Sequence, residues 1–238
     1  MKLYNDFASH YDFIFPVNER TLGFLEEELP SGTVVDLGCA TGGYAIALAG
    51  RGYVVEGLDL DAHMLEIATG KSRQSEMKVT FQLKDIAHFA ATSRYDGIYS
   101  IGNTIVHLPD KAAVKDLLAR IYDALIPHGK AVVQIINYDR FIGLDQASLP
   151  TIEREGRRFT RFYRRKSGMM LFETELNHLE ETYRAVTPLL PLLSFELASL
   201  FQEAGFVDIR SYGGFSREPY ESGKSQHFVI VAGKPTQN

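Results

Sequence analysis

Thr33-Val34-Val35-Asp36-Leu37-Gly38-Cys39-Ala40-Thr41-Gly42-Gly43 is the stretch on which the reading of this chain turns. Thr33 to Leu37 is a short β-branched run of the kind that forms a buried strand. The glycines end it, and Tyr44 to Ala49 reads as a helix. A strand that passes through a glycine turn into a helix is the first half of a βαβ unit, and in an open α/β sheet ligands bind beyond the carboxyl ends of such strands. Gly38, Gly42 and Gly43 permit positive φ and let a ligand approach the backbone. Their spacing differs from the first, third and sixth positions of the dinucleotide fingerprint, and no Lys-Ser or Lys-Thr follows to hold nucleotide phosphates. The turn therefore suits a ligand whose nucleoside and amino-acid ends are joined by an uncharged linker, with Asp36 placed to meet its ammonium directly or through the loop. Tight packing alone would also explain the glycines, so the neighbouring strands have to decide.

The next strand, Tyr53 to Leu58, ends in Asp59-Leu60-Asp61. An acidic residue about twenty positions beyond the glycine turn is where ribose hydroxyls are held. Asp59 is that candidate, and Asp61 is expected to cap the helix that carries Met64 and Leu65. Leu60 and Met64 could flank an adenine or simply pack. A third strand, Lys78 to Leu83, leads to Lys84-Asp85-Ile86, where Asp85 is placed to accept from the adenine amino group. Three acids at three successive strand ends make a coherent nucleoside site. Further strands are expected at Tyr95 to Ile101 and Ala131 to Ile136, with a helix from Lys111 to Leu125 stopped by Pro127-His128-Gly129. The alternation predicts an α/β fold, a doubly wound, mostly parallel sheet.

After Asn137 the rhythm changes. Arg157, Arg158, Arg161, Arg164 and Arg165 interleave with Phe159, Phe162 and Tyr163, and Leu171 to Leu176 alternates as well, which predicts a small antiparallel insertion. Glu173, Glu175, Glu180 and Glu181 make cross-strand pairing the expected use of the arginines rather than nucleic-acid binding. A helix from Ser194 to Ala204 and strands at Phe206 to Ser211 and His227 to Val231 close the chain. Of 238 residues, 45% are hydrophobic and 23% charged, enough for a full core, and the formal charge of -5 gives no general attraction to nucleic acid or anionic lipid. Cys39 is the single cysteine, so no internal disulfide can form. No stretch is long and apolar enough to span a bilayer, and the charged start MKLYNDFASHYDF lacks a signal sequence's apolar run. A cytoplasmic enzyme without membrane or nucleic-acid partners is expected.

The motifs VVDLGCATGG, GLDLDAHML, KDI and YDGIYSIGN resemble, in order and spacing, those of class I S-adenosylmethionine-dependent methyltransferases. Gly102-Asn103-Thr104-Ile105-Val106-His107-Leu108, Asn137-Tyr138-Asp139, the leader Tyr4 to Asp12 and Gly214-Phe215 are similar to features of the glycine and sarcosine N-methyltransferase group. The resemblance implies a Rossmann-like, seven-stranded sheet with residues 31–148 and 190–238 as core, residues 1–30 as a helical lid and residues 149–189 as an antiparallel insertion over the acceptor. It implies S-adenosyl-L-methionine as cofactor, with S-adenosyl-L-homocysteine as product, bound by Asp36, Gly38, Cys39, Ala40, Gly42, Asp59, Leu60, Met64, Asp85, Ile86 and Ile101. Asn103, His107 and Tyr11 are the catalytic candidates, and Asn103, Asn137 and Tyr138 the acceptor contacts. No metal is expected, and a homodimer is allowed. An amine on a small molecule is the expected acceptor. The alternatives are an oxygen or carbon acceptor with His107 as base, and a binding module that has lost transfer. Glycine-methylating members carry an arginine just before NYD that binds the substrate carboxylate, where this chain has Ile136. The acceptor then lacks a carboxylate, or Arg184 or Arg217 supplies the contact.

Overall fold

The computed structural model of the protein describes residues 8–236. Tyr4 to Phe7 of the leader motif lie outside that range. The described residues start with a 3-10 turn (Ala8–His10), a one-turn helix α1 (Tyr11–Ile14) and α2 (Glu19–Glu28), then run β1 (Thr33–Leu37), α3 (Gly43–Ala49), β2 (Val54–Asp59), α4 (Ala62–Gln74), β3 (Val79–Leu83), β4 (Tyr95–Ser100), α5 (Lys111–Ala124) and β5 (Leu125–Ile136). An insertion follows, β6 (Gln146–Arg154), β7 (Arg157–Lys166), β8 (Met169–His178) and β9 (Glu181–Leu189). It is succeeded by α6 (Ser194–Glu203), β10 (Val207–Tyr212) and β11 (His227–Gly233).

The main sheet has seven strands in the order β10-β11-β5-β4-β1-β2-β3. β1 to β5 are mutually parallel, and β11 runs antiparallel to both of its neighbours. The strands are apolar on both faces because both are covered. Val34, Tyr99, Val132 and Val229 pack with Leu22, Leu25 and Leu48 of α2 and α3. Val35, Ile98, Val133 and Ile230 pack with Leu117, Leu118, Leu197 and Phe201 of α5 and α6. Adjacent residues of each strand thus enter opposite layers, as a pleated strand requires. The strand order reverses between β1 and β4, and the carboxyl ends of these two strands part there.

One expectation about the core is corrected. Pro127-His128-Gly129 does not separate a helix from a strand; it lies inside β5, which follows α5 directly. The segment bulges, with His128 at φ 64° and a register shift against β4 between Tyr95 and Gly97. Its backbone groups are met from the C-terminal segment: His128 N–H donates to the Lys234 carbonyl at 3.0 Å and Lys234 N–H to the Gly129 carbonyl at 2.9 Å. Pairing across the sheet outweighs the local breakers.

The insertion is a separate four-stranded antiparallel sheet, order β6-β7-β8-β9, and it starts at Gln146. Phe159, Tyr163, Met170 and Leu176 form its buried face. The expected charge pairing lies on its exposed side, with Arg164 Nε to Glu173 at 3.0 Å and Arg184 Nε to Glu175 at 2.7 Å. Exposed pairs of this kind add little stability.

Candidate functional site

Two cavities meet at the β1/β4 switch point. The smaller, about 300 Å³, is lined by Gly38, Ala40, Asp59, Leu60, Met64, Asp85 and Ile86 among others. The larger, about 460 Å³, takes in Asp36, Cys39, Ile101 and Asn103 together with residues of the insertion and of the N-terminal segment. Tyr11, Gly38, Gly102 and His107 line both, so they form the wall or passage between them.

The smaller cavity gathers the acids of the second and third strand ends. Asp59 accepts the Ala40 N–H at 2.8 Å and the Asp61 N–H at 3.0 Å, which fixes its carboxylate at the cavity edge with lone pairs to spare. Burial raises its pKa, and the backbone donors partly oppose that. Asp61 accepts from His63 and Met64 N–H at 2.9 and 3.1 Å and caps α4, as expected. Asp85 spends one oxygen on the Ala87 N–H at 2.8 Å, capping the turn Ile86–His88. Met64 is buried, whereas Leu60 is 49% exposed at the mouth, an apolar side chain held half in solvent over the cavity.

Asp36 anchors the other side. It is buried at the end of β1, and burial pushes its carboxyl up to about 8, with Tyr99 pulling it down and Asp59 adding to the rise. A carboxyl in that state is poised to ionise when a cation arrives beside it. Gly38, at φ 86°, has no room for a side chain: a Cβ would stand 2.3 Å from the Thr104 side chain. Gly42 adopts the left-handed conformation at the start of α3, where a Cβ would meet Phe81 at 2.6 Å. It lines neither cavity itself and shapes the turn between Thr41 and Gly43, which line the larger one. Cys39 is buried beside the two acids, and burial pushes its thiol up, which leaves it an inert packing residue.

Asn103 has a fixed orientation. The Ile136 N–H donates to its Oδ1 at 3.0 Å, so the amide NH2 faces Tyr138 and donates to that hydroxyl at 3.1 Å. One N–H and one lone pair remain for a ligand. Ile136 therefore serves the site through its backbone. His107 ends the turn Ile105–His107, and burial lowers its pKa, which keeps the ring neutral. Two of the expected acceptor contacts do not reach the cavities. Asn137 is buried and donates to the Ser222 and Ser225 carbonyls at 2.8 and 2.9 Å, while its Oδ1 accepts from the Asp139 N–H and the Tyr220 hydroxyl. It clamps a loop. Tyr138 is buried against Phe141 and acts on the site only by holding Asn103.

The N-terminal segment closes the larger cavity with Tyr11, Ile14, Phe15 and Val17. It is tied down by Asp12, which accepts from Thr41 Oγ1 at 2.6 Å and Lys71 Nζ at 2.7 Å. α2 instead packs into the core through Leu22, Phe24 and Leu25.

Neither arginine suggested as a carboxylate partner faces the cavities. Arg184 pairs with Glu175, and Arg217 binds Glu27 at 2.7 Å and also Glu28. The sequence reading missed Gln134, His227, Thr187 and Arg161, all of which line a cavity. Arg161 had a legible signal: Phe159 and Tyr163 at its i±2 positions are aromatic, so all three share the inward face of β7.

The site can hold a ligand with an ammonium at Asp36, vicinal hydroxyls at Asp59 and a flat ring between Leu60, Met64 and Ile86. The chain is similar to known proteins in sequence and in shape. The sequence pattern of the methyltransferase domain family matches residues 34–129. The chain is 29% identical over 213 residues to the glycine/sarcosine N-methyltransferase of Halorhodospira halochloris, covering 84% of this chain and 75% of that protein. It is 27% identical over 124 residues to a ubiquinone biosynthesis O-methyltransferase of Coxiella burnetii, a match spanning 51% of each. For several curated relatives the chain matches about half of their length or less. In shape it is similar to a S-adenosylmethionine-dependent methyltransferase from Clostridium acetobutylicum, with a TM-score of 0.80 at 16% identity, over 98% of this chain and 99% of that one.

Proposed function

We propose that this chain, whose residues 34–129 match the methyltransferase domain family, is an S-adenosylmethionine-dependent methyltransferase that transfers the methyl group of this cofactor to an amine nitrogen on a small molecule. The observation that carries the reading is the pair of cavities joined at Gly38, Gly102, His107 and Tyr11, one edged by acids suited to a nucleoside and the other able to take an acceptor.

The residues present fit the cofactor. Asp36 is a buried acid with no ion pair among the described residues, and an ammonium in the larger cavity would favour its charged form. Asp59 has unused lone pairs at the expected ribose position, and the glycines keep side chains out of the passage. S-adenosylmethionine, when bound, supplies a methyl on a positively charged sulfur with a good leaving group. The protein's part is alignment. Asp36 would hold the cofactor's ammonium and Asp59 its ribose hydroxyls, the groups on either side of the sulfonium. Holding reactants in line contributes several kcal/mol to such a displacement. Asn103, oriented by Ile136 and Tyr138, offers one N–H and one lone pair at the acceptor side. Tyr11 and Phe15 cover the cavity and exclude water. An amine needs only its lone pair, which a neutral His107 can help expose by accepting a proton.

His107 in the shared wall also supports a second reading, in which the acceptor is a hydroxyl and the imidazole is its general base. A transfer assay with radiolabelled methyl donor across amines, amino acids, amino sugars and phenols tests both, with the methylated atom located by NMR. Label on nitrogen is the expected result. Label on oxygen alone selects the second reading, and no transfer to any acceptor despite cofactor binding refutes both.

A further inference from the structure

An arginine stands in the wall of the larger cavity with a donor unused. Among the described residues, Arg161 is the only Lys or Arg lining either cavity. Its Nη2 donates to the Pro150 carbonyl at 2.8 Å, which fixes one arm of the guanidinium. Its Nε is buried and has no hydrogen-bond partner. Of the described acidic residues, only Asp12 and Asp36 line this cavity, and Asp12 is already engaged by Lys71 and Thr41. Buried polar groups are nearly always paired, so a guanidinium that lines a cavity with its Nε unpaired has donor capacity the protein itself does not use. A planar fork of N–H donors matches a carboxylate or phosphate better than any neutral group.

His227 lines the same cavity and adds a second donor to it. The Gly102 N–H donates to Gln134 Oε1 at 2.7 Å, so the Gln134 amide nitrogen must be what faces His227 Nδ1 at 3.1 Å. Nδ1 then accepts, and the neutral ring carries its proton on Nε2. Burial lowers the pKa of His227, and the nearby Arg161 charge adds to the effect. His227 lies opposite Ile136 in the sheet, the residue that orients Asn103. Arg161 therefore belongs to the Asn103 side of the cavity rather than to the nucleoside side.

We propose that Arg161, assisted by His227, holds an anionic group on the acceptor, so that the preferred acceptors are small amines that also carry a carboxylate or a comparable oxyanion. This rests on the larger cavity being the acceptor site, and it gives the insertion a specificity role that its exposed charge pairs do not. It also accounts for Ile136, since the anion contact comes from β7 instead of from the residue before Asn137.

The test is calorimetric titration of the full chain, saturated with S-adenosylhomocysteine, with carboxylates and their matching amides. The probes run from acetate to phenylacetate and from glycine to phenylalanine, with 2-aminoethyl phosphate as the phosphate arm. In the wild type at least one carboxylate or the phosphate should bind tenfold or more tighter than its neutral counterpart. Arg161→Met should abolish that preference and Arg161→Lys retain part of it, with unchanged S-adenosylhomocysteine affinity and unfolding temperature in both. Equal binding of acids and amides, or no anion binding at millimolar concentration, overturns the proposal. So does a tenfold or greater loss of S-adenosylhomocysteine affinity in Arg161→Met, because Arg161 would then hold the cofactor's own carboxylate. Should the wild type fail to bind S-adenosylhomocysteine, the same titration without it separates the two ideas. An Arg161-dependent anion preference would then preserve this inference while the cofactor reading falls.

Discussion

Replacing Asp36 by Asn exposes the electrostatic design of the site. Burial raises the Asp36 carboxyl from 3.8 to about 8, so in that interval the folded chain holds a proton that the unfolded chain has released. By linkage, stability then falls as pH rises through the interval, by about 1.4 kcal/mol per unit, and levels off above the folded-state value. Between pH 5 and pH 8 the group alone removes about 4 kcal/mol. Asp36→Asn cannot ionise and should lose this slope. Urea unfolding of both proteins at successive pH values reads the effect as a difference that grows toward pH 8 in favour of the variant. The cofactor should reverse the sign. An ammonium beside Asp36 favours its carboxylate, so affinity of the wild type for S-adenosylhomocysteine should rise toward tenfold per unit between pH 6 and 7 and flatten near pH 8, whereas Asp36→Asn binds weakly and without that rise. Parallel stability curves for the two proteins would refute the buried, proton-holding Asp36. An identical pH dependence of binding would refute its contact with the ligand.

Asp59→Ala removes the charged acceptor for the ribose hydroxyls and unhooks the Ala40 and Asp61 N–H groups. It should weaken S-adenosylhomocysteine binding about 100-fold, or about 3 kcal/mol, by calorimetry. His107→Ala should lower turnover with an amine acceptor less than about tenfold, against a loss of about 10²-fold or more if the acceptor is a hydroxyl. Because burial lowers the His107 pKa, the acid limb of any His107-dependent rate profile should fall below the usual histidine value. Asp12→Asn weakens the tie from the N-terminal segment to Thr41 and Lys71. It should speed S-adenosylhomocysteine release in stopped-flow measurements several-fold and increase protease cutting before α2.

The half proposed to hold the nucleoside was legible because its signals are local. Asp36, Asp59 and Asp85 each lie at or just beyond the end of a strand, the glycine turn lies between strand and helix, and these few residues both shape the fold and line the cavities. The acceptor half is assembled from parts distant in sequence. Gln134, Arg161 and His227 meet only through the pairing of β5 with β11 and the placement of the insertion, which no local pattern encodes. The arginines of β7 were read together as partners of the glutamates, yet a strand sends alternate residues to opposite faces. Arg158 and Arg164 point out and pair, whereas Arg161 faces in with Phe159 and Tyr163. Asn137 and Tyr138 were read as ligand contacts from their motif, but their hydrogen bonds show a loop clamp and a support for Asn103. Pro127-His128-Gly129 suggested a stop because breakers act locally, and backbone pairing with Lys234 overrode them.

The central claim is that the joined cavities bind S-adenosylmethionine, and calorimetry of the purified chain with S-adenosylmethionine, S-adenosylhomocysteine and NADH tests it most directly. Saturable binding of the first two in the micromolar range, about −8 kcal/mol, and none of NADH is the expected result. A folded protein that binds neither nucleoside at millimolar concentration, or that binds NADH instead, would contradict it.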